Sequence, residues 1–259
     1  MRFFIALKFL TIFPAPAVPD DSPENIGHSL PYFPVIGAII GILLVALYYL
    51  VHLVFPTALV SALLVAFLAV ITGAHHIDGL MDTCDAFAAG KTREERLAIM
   101  SDTRTGAFGV TGAILLVLTK FAALTAISQT PPLLIFPVIS RWAMPGVMLI
   151  FPPAKDSGLG HAAREGANLS AFLVATTFTL IISILTLGLI AGPVLMALSF
   201  LLVICLGYAF KRLFGGLTGD SYGALVEVGE VLTLLLIILL SDFGILSASY
   251  NLIKLPFGS

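Results

Sequence analysis

From Phe33 to Gly73 the chain runs without one Asp, Glu, Lys or Arg. So long an uncharged stretch has no polar face to offer water, and its natural solvent is lipid. The remainder agrees. Only 11% of the 259 residues are charged, where a soluble domain carries roughly a quarter. A bilayer core of about 30 Å is crossed by about 20 apolar helical residues. Seven stretches meet or approach that length, near Phe33–Phe55, Thr57–Gly73, Ala107–Ile127, Leu133–Phe151, Leu169–Ile190, Pro193–Phe210 and Val226–Asp242. The expected fold is an all-α, polytopic integral membrane protein, with residues 1–259 forming a single transmembrane domain of about seven helices. The opening "MRFFIALKFLTIFPAPA" imitates a secretory signal, but Lys8 interrupts its apolar stretch. We read it as a retained interfacial or re-entrant segment.

Charge placement orients the spans, because Lys and Arg accumulate on cytoplasmic loops. Lys91, Arg93, Arg96 and Arg104 fall in a loop of about 75–106, Lys155 and Arg164 in one of about 152–168, and Lys211 and Arg212 in one of about 211–225. With seven spans these loops share one side with Arg2 and Lys8, the expected cytoplasmic face of a bacterial inner membrane. Lys254, near the other face, dissents. The polar chemistry is thus gathered at one membrane face, whereas a channel distributes it along its spans. The net charge of −2 gives no footprint for nucleic acid. Cys84 and Cys205 are too few for a disulfide framework and lack zinc-like spacing.

The densest polar stretch is "HHIDGLMDTCDAFAAG", His75–Gly90. On a helix, Asp78, Asp82 and Asp85 occupy positions i, i+4 and i+7 and share one face. Adjacent like charges there repel by roughly 0.2–0.5 kcal/mol per pair even in water. A divalent cation removes that penalty, and carboxylates without thiolates suit Mg2+ or Mn2+. The plainer alternative is a solvated acidic helix end. On an unbroken helix His75 shares the stripe while His76 points away, and Gly73 is placed to re-aim either. One of them is a candidate base or phosphate contact.

"KTREERLAIMSDTRTGAFG" follows at Lys91–Gly109. Thr92 and Glu95 form a capping-box pattern, which predicts a short helix. Asp102 offers a fourth carboxylate, and Arg96 and Arg104 offer guanidiniums for phosphate, although a helix that meets anionic lipid has the same pattern. A second acidic patch, Asp220, Glu227 and Glu230, enters the last span, where carboxylates are expensive and functional by default. Lys120 and Arg141 lie within spans. Each either faces a polar cavity or neutralises Glu227 or Glu230. Lys155, Asp156 and Arg164 read as ordinary loop charges, with Gly158, Gly160 and His161 as parts of a lid.

"HIDGLMDTCDAF" followed by "REERLAIMSDTRTGAFG" resembles the cobalamin synthase family, the adenosylcobinamide-GDP ribazoletransferases. The pattern H-x-D-G-L-x-D-T-x-D falls on His76 to Asp85, and R-L-x-I-M-x-D-x-R-x-G-x-F-G on Arg96 to Gly109. "SR" at Ser140–Arg141, "GLTGD" at Gly216–Asp220 and "GALVE" at Gly223–Glu227 extend the likeness, while Ile12 stands where an Arg is common. The family pattern prefers His76 where helical geometry prefers His75. The resemblance implies that a hydroxyl of α-ribazole, or of its 5′-phosphate, attacks the corrinoid-linked phosphorus of adenosylcobinamide-GDP. GMP then leaves, adenosylcobalamin or its phosphate forms, and Mg2+ is required. It implies metal ligation by Asp78, Asp82, Asp85 and Asp102, and phosphate or substrate binding by Arg96, Arg104, Arg141, Asp220 and Glu227. His76, Asp82 and Asp102 are the implied catalytic groups. The lipid bilayer is the standing partner, and there is room for a homo-oligomer or for contact with other cobalamin-assembly enzymes.

Two other readings compete. A CDP-alcohol phosphatidyltransferase-like lipid enzyme also uses a helical aspartate cluster, but its D-G-x2-A-R signature is absent after Asp78–Gly79. A transporter would use Lys120, Arg141 and Glu230 as its intramembrane path.

Overall fold

The computed structural model describes residues 1–16, 23–127 and 130–246. Lys254 lies outside the described residues. In chain order the helices are α1 (Arg2–Leu10), α2 (Pro23–Ser29), α3 (Phe33–Val51), α4 (Thr57–Ile71), α5 (His75–Ala89), α6 (Arg93–Ile99), α7 (Ala107–Ala126), α8 (Pro131–Ile150), α9 (Leu159–Glu165), α10 (Leu169–Leu187), α11 (Ala191–Phe214) and α12 (Gly219–Asp242). Among the described residues, six helical stretches are long and apolar enough to cross a membrane, and a seventh is obtained if α4 and α5 count as one broken span. The all-α membrane fold is as expected.

Helix α8 is the hub. It packs against α3, α10, α11 and α12 and is the most buried of the spans. Its interior prolines, Pro137 and Pro145, are both buried among those neighbours, the setting in which a spanning helix tolerates lost backbone hydrogen bonds. Gly37 and Gly41 of α3 let that helix lie on α8, since a Cβ at either would come within 2.5–2.6 Å of an α8 carbonyl oxygen. The outer spans keep their leucines on the outside. Leu115, Leu173, Leu185 and Leu201 are each more than half exposed, as lipid-facing side chains should be.

Two expected boundaries shift. The second span ends at Ile71, after which Gly73 (φ 63°) and Ala74 (φ 56°) adopt left-handed conformations and the chain turns by 91° into α5. Helix α12 starts at Gly219, well before Val226, because the Thr218 side chain accepts a hydrogen bond from the Ser221 N–H and caps it. Asp220 therefore sits in a first helical turn, not in a loop.

The short α6 begins where the sequence predicts. The Thr92 side chain accepts from the Glu95 N–H at 3.2 Å, and the Glu95 carboxylate accepts from the Thr92 N–H at 3.3 Å. Its first residue does more than start a helix. Arg93 donates through Nε to the Phe214 carbonyl (2.9 Å) and through Nη2 to the Ala154 carbonyl (3.0 Å). The segments it joins also bond to each other, Ala154 N–H to the Leu217 carbonyl and Leu217 N–H to the Pro152 carbonyl, both at 2.9 Å. All three polar loops are thereby fastened into one face.

Candidate active site

Helix α5 is continuous from His75 to Ala89, so Asp78, Asp82 and Asp85 do lie along one stripe. What the stripe faces depends on two glycines. A Cβ on Gly79 would sit 2.8 Å from the Asp220 carbonyl oxygen, and one on Gly223 would sit 3.2 Å from the His76 Cα. Only a side chain of one hydrogen allows α5 and the start of α12 this close. The result brings His76 and Asp78 beside Asp220 on the wall of a cavity of about 510 Å3. The cavity is closed by Lys8 and Phe9 of α1, by Met144 and Met148 of α8, and by the segment carrying Lys155 and His161.

Among the expected site residues, His76, Asp78 and Asp220 are assembled there. His75 lines the cavity too, exposed, while His76 is buried with Nδ1 lacking a hydrogen-bond partner. Asp82 is half-buried next door and feels the charges of Asp220, Asp78 and Asp85.

The expected four-carboxylate metal group is not assembled. Among the described residues no three His, Cys, Asp or Glu side chains converge as a cation site. Asp85 has spent both oxygens on backbone: Oδ2 accepts from Gly106 N–H at 2.7 Å and Oδ1 from Gly109 N–H at 2.8 Å. It holds the free amides at the start of α7, a carboxylate at a helix N-terminus. Asp102 is held by Arg104, whose Nη2 lies 2.7 Å from Oδ2. The hydrogen-bonded guanidinium draws the Asp102 carboxyl down to about 2. Arg104 is otherwise exposed, and neither it nor Arg96 reaches the cavity.

Arg141 and Glu227 are also placed differently from the expectation. Arg141 pairs with Glu230, and Lys120 pairs with both Glu227 (2.5 Å) and Glu230. All four side chains are at most 4% exposed. Two cations and two anions cancel within the bundle, so these groups neutralise each other and are not offered to substrate phosphate. Lys120, Arg141 and Glu230, the residues that a transporter would use as its path, are thus tied to one another.

Among the expected site residues, Asp78 and Asp82 are left without such ties, and Asp220, bonded by the Thr218 side chain, stands beside them. This set suits Mg2+, which takes one or two carboxylates plus waters and substrate phosphates and seldom a cage made only of protein. Sequence reasoning passed over Lys155, Lys8 and Tyr222. Lys155 lines the cavity and donates to Ser101 Oγ at 2.6 Å. Nothing in its local pattern separates it from an ordinary loop charge, because its role depends on the fastened loops.

Comparison with known proteins now decides the family. The family model described as cobalamin-5-phosphate synthase matches residues 2–238. The chain belongs to that family. It is a membrane-embedded transferase of cobalamin biosynthesis. Similar proteins include one from Geotalea daltonii, 39% identical over 91% of this chain and 96% of its own length. Another, from Roseiflexus, is 36% identical over 88% of this chain and 86% of its own. A third, from Pseudomonas syringae, is 36% identical over 93% of this chain and 100% of its own. All three are named adenosylcobinamide-GDP ribazoletransferase. No solved structure matches. Family membership also sets aside the lipid-synthesising alternative.

Proposed function

We propose that this member of the family joins adenosylcobinamide-GDP to α-ribazole or its 5′-phosphate, releasing GMP, in a reaction that depends on Mg2+. The observation that carries the reading is the meeting of His76, Asp78 and Asp220 on one cavity, with Asp82 adjoining. Phosphoryl transfer asks a protein mainly for alignment and charge neutralisation. When bound, Mg2+ neutralises diphosphate charge and the charge of the departing phosphate. Asp78, Asp82 and Asp220 would supply one or two of its ligands, and water and the substrate's phosphates the rest. His76 accepts the proton of the attacking hydroxyl, and its burial keeps bulk water away from that atom. Arg104 is exposed enough to swing from Asp102 onto a phosphate. We place the site at the cytoplasmic face of a bacterial inner membrane, with the N-terminus on the same side. Support comes from the Lys and Arg residues of the three fastened loops.

The test is GMP release by the purified full-length protein supplied with both substrates. Turnover should vanish on chelation and return with Mg2+. Asp82→Ala should give an inserted, monodisperse protein with at most about 1% of wild-type turnover, a loss of about 2.7 kcal/mol or more in the transition state. Turnover close to wild type by that variant in Mg2+ would refute the metal assignment.

A further inference from the structure

The 510 Å3 cavity has two kinds of wall. Phe33, Met144, Met148 and Val226 are apolar, and each is at most 3% exposed. Other lining residues carry buried polar atoms that lack any hydrogen-bond partner: Nδ1 of His76, Nδ1 of His161 and the hydroxyl of Tyr222. Buried polar atoms are nearly always paired. Three such atoms on residues around a single cavity can be partnered by a bound molecule once the side chains that carry them turn toward it. Apolar walls with a few convergent polar atoms are the usual build of a small-molecule site.

The reaction assigned above involves two substrates of very different size. A corrinoid bearing a nucleoside diphosphate far exceeds this volume. A flat two-ring base on a ribose does not. Thioethers pack well against aromatic ring edges, and a ribose offers hydroxyls to match the orphan atoms.

We propose that the cavity is the acceptor site. It takes the base of ribazole between Met144, Met148 and Phe33, with Tyr222 and His161 hydrogen-bonding its polar edges, while the corrinoid of the donor stays outside. The assignment rests on the reaction proposed above. It places the acceptor hydroxyl beside His76, Asp78 and Asp220. It makes Met144, Met148 and Tyr222 the determinants of which nucleoside is accepted.

Equilibrium dialysis of α-ribazole against the detergent-solubilised full-length protein, without donor, tests this directly. Wild type should bind one equivalent saturably. Met148→Trp, which fills the cavity, should weaken ribazole at least tenfold and leave donor binding within twofold. Tyr222→Phe, which keeps the shape and removes one hydrogen bond, should weaken it about 2- to 10-fold. Ribazole binding unchanged in both variants, or a loss confined to the donor, would overturn the assignment. Loss of ribazole binding by monodisperse variants supports it even where turnover with Mg2+ fails in wild type, an outcome that would count against the reaction and not against this site.

Discussion

Replacing Lys120 by Met is the sharpest test of how the bundle is held. Lys120, Glu227, Glu230 and Arg141 form a buried group of zero net charge, no member more than 4% exposed. Met preserves length and apolarity but deletes a cation. Glu230 keeps Arg141, whereas Glu227 loses its only ion-pair partner among the described residues. Breaking a buried pair from one side costs about 3–5 kcal/mol, because an uncompensated charge is left behind. Glu227→Gln alone leaves two cations sharing Glu230 and should also destabilise. The double variant Lys120→Met/Glu227→Gln restores neutrality, with Arg141 facing Glu230. Its cost should fall short of the sum of the single costs by about 2 kcal/mol or more, near the upper end of ordinary couplings. Reversible SDS titration in mixed micelles, followed by helical circular dichroism, measures all three. A Lys120→Met loss within about 0.5 kcal/mol, the range of an ordinary surface change, would refute the buried-network argument. So would strict additivity.

Three further outcomes are expected. Gly79→Ala puts a Cβ 2.8 Å from the Asp220 carbonyl oxygen, so α5 and α12 must part. It should cost about 1–3 kcal/mol, read by the same titration, and reduce GMP release more than it reduces stability alone would suggest. Asp85→Asn keeps one acceptor but loses the charge that holds Gly106 and Gly109. It should lower stability by about 1 kcal/mol while the Mg2+ concentration for half-maximal turnover moves less than twofold; a large shift there would return Asp85 to the metal. Arg104→Ala should raise the Asp102 carboxyl from about 2 toward the ordinary value of about 3.9. In wild type Asp102 stays ionised until pH falls to about 2, and in the variant it should take up its proton at correspondingly higher pH. Carboxyl-carbon NMR of selectively labelled aspartate measures it, and an unmoved titration would show that Arg104 is not the cause.

Much of the fold was legible because lipid imposes a simple length rule. The long apolar runs mark α3, α7, α8, α10 and α11 to within a few residues. The capping box at Thr92 and Glu95 is local chemistry and was equally readable. The start of α12 was not. Its first turn, from Gly219, is polar and glycine-rich and imitates a loop, and only the Thr218 cap reveals it. The site was half legible for a related reason. Spacing shows that three aspartates share a stripe, but not that Gly106 and Gly109 of another helix claim both oxygens of Asp85. The pairing of Lys120 and Arg141 with the second acidic patch was one of two readings left open by sequence, since only tertiary packing separates a neutralised network from a substrate ligand.

Helix α4 has 15 residues and so rises about 22 Å, roughly 8 Å less than the thickness of a hydrocarbon core. The chain then turns by 91° at Gly73 and Ala74, so a span that begins level with one surface falls short of the other. In that setting the acidic helix would set out from below the surface of the leaflet. Phosphates would then come down to it, through a dent in the leaflet walled by protein. Bilayer thickness then becomes a mechanical setting of the enzyme. Longer acyl chains drown the reacting atoms, shorter ones lift them toward water, and turnover in vesicles of graded chain length should trace that depth.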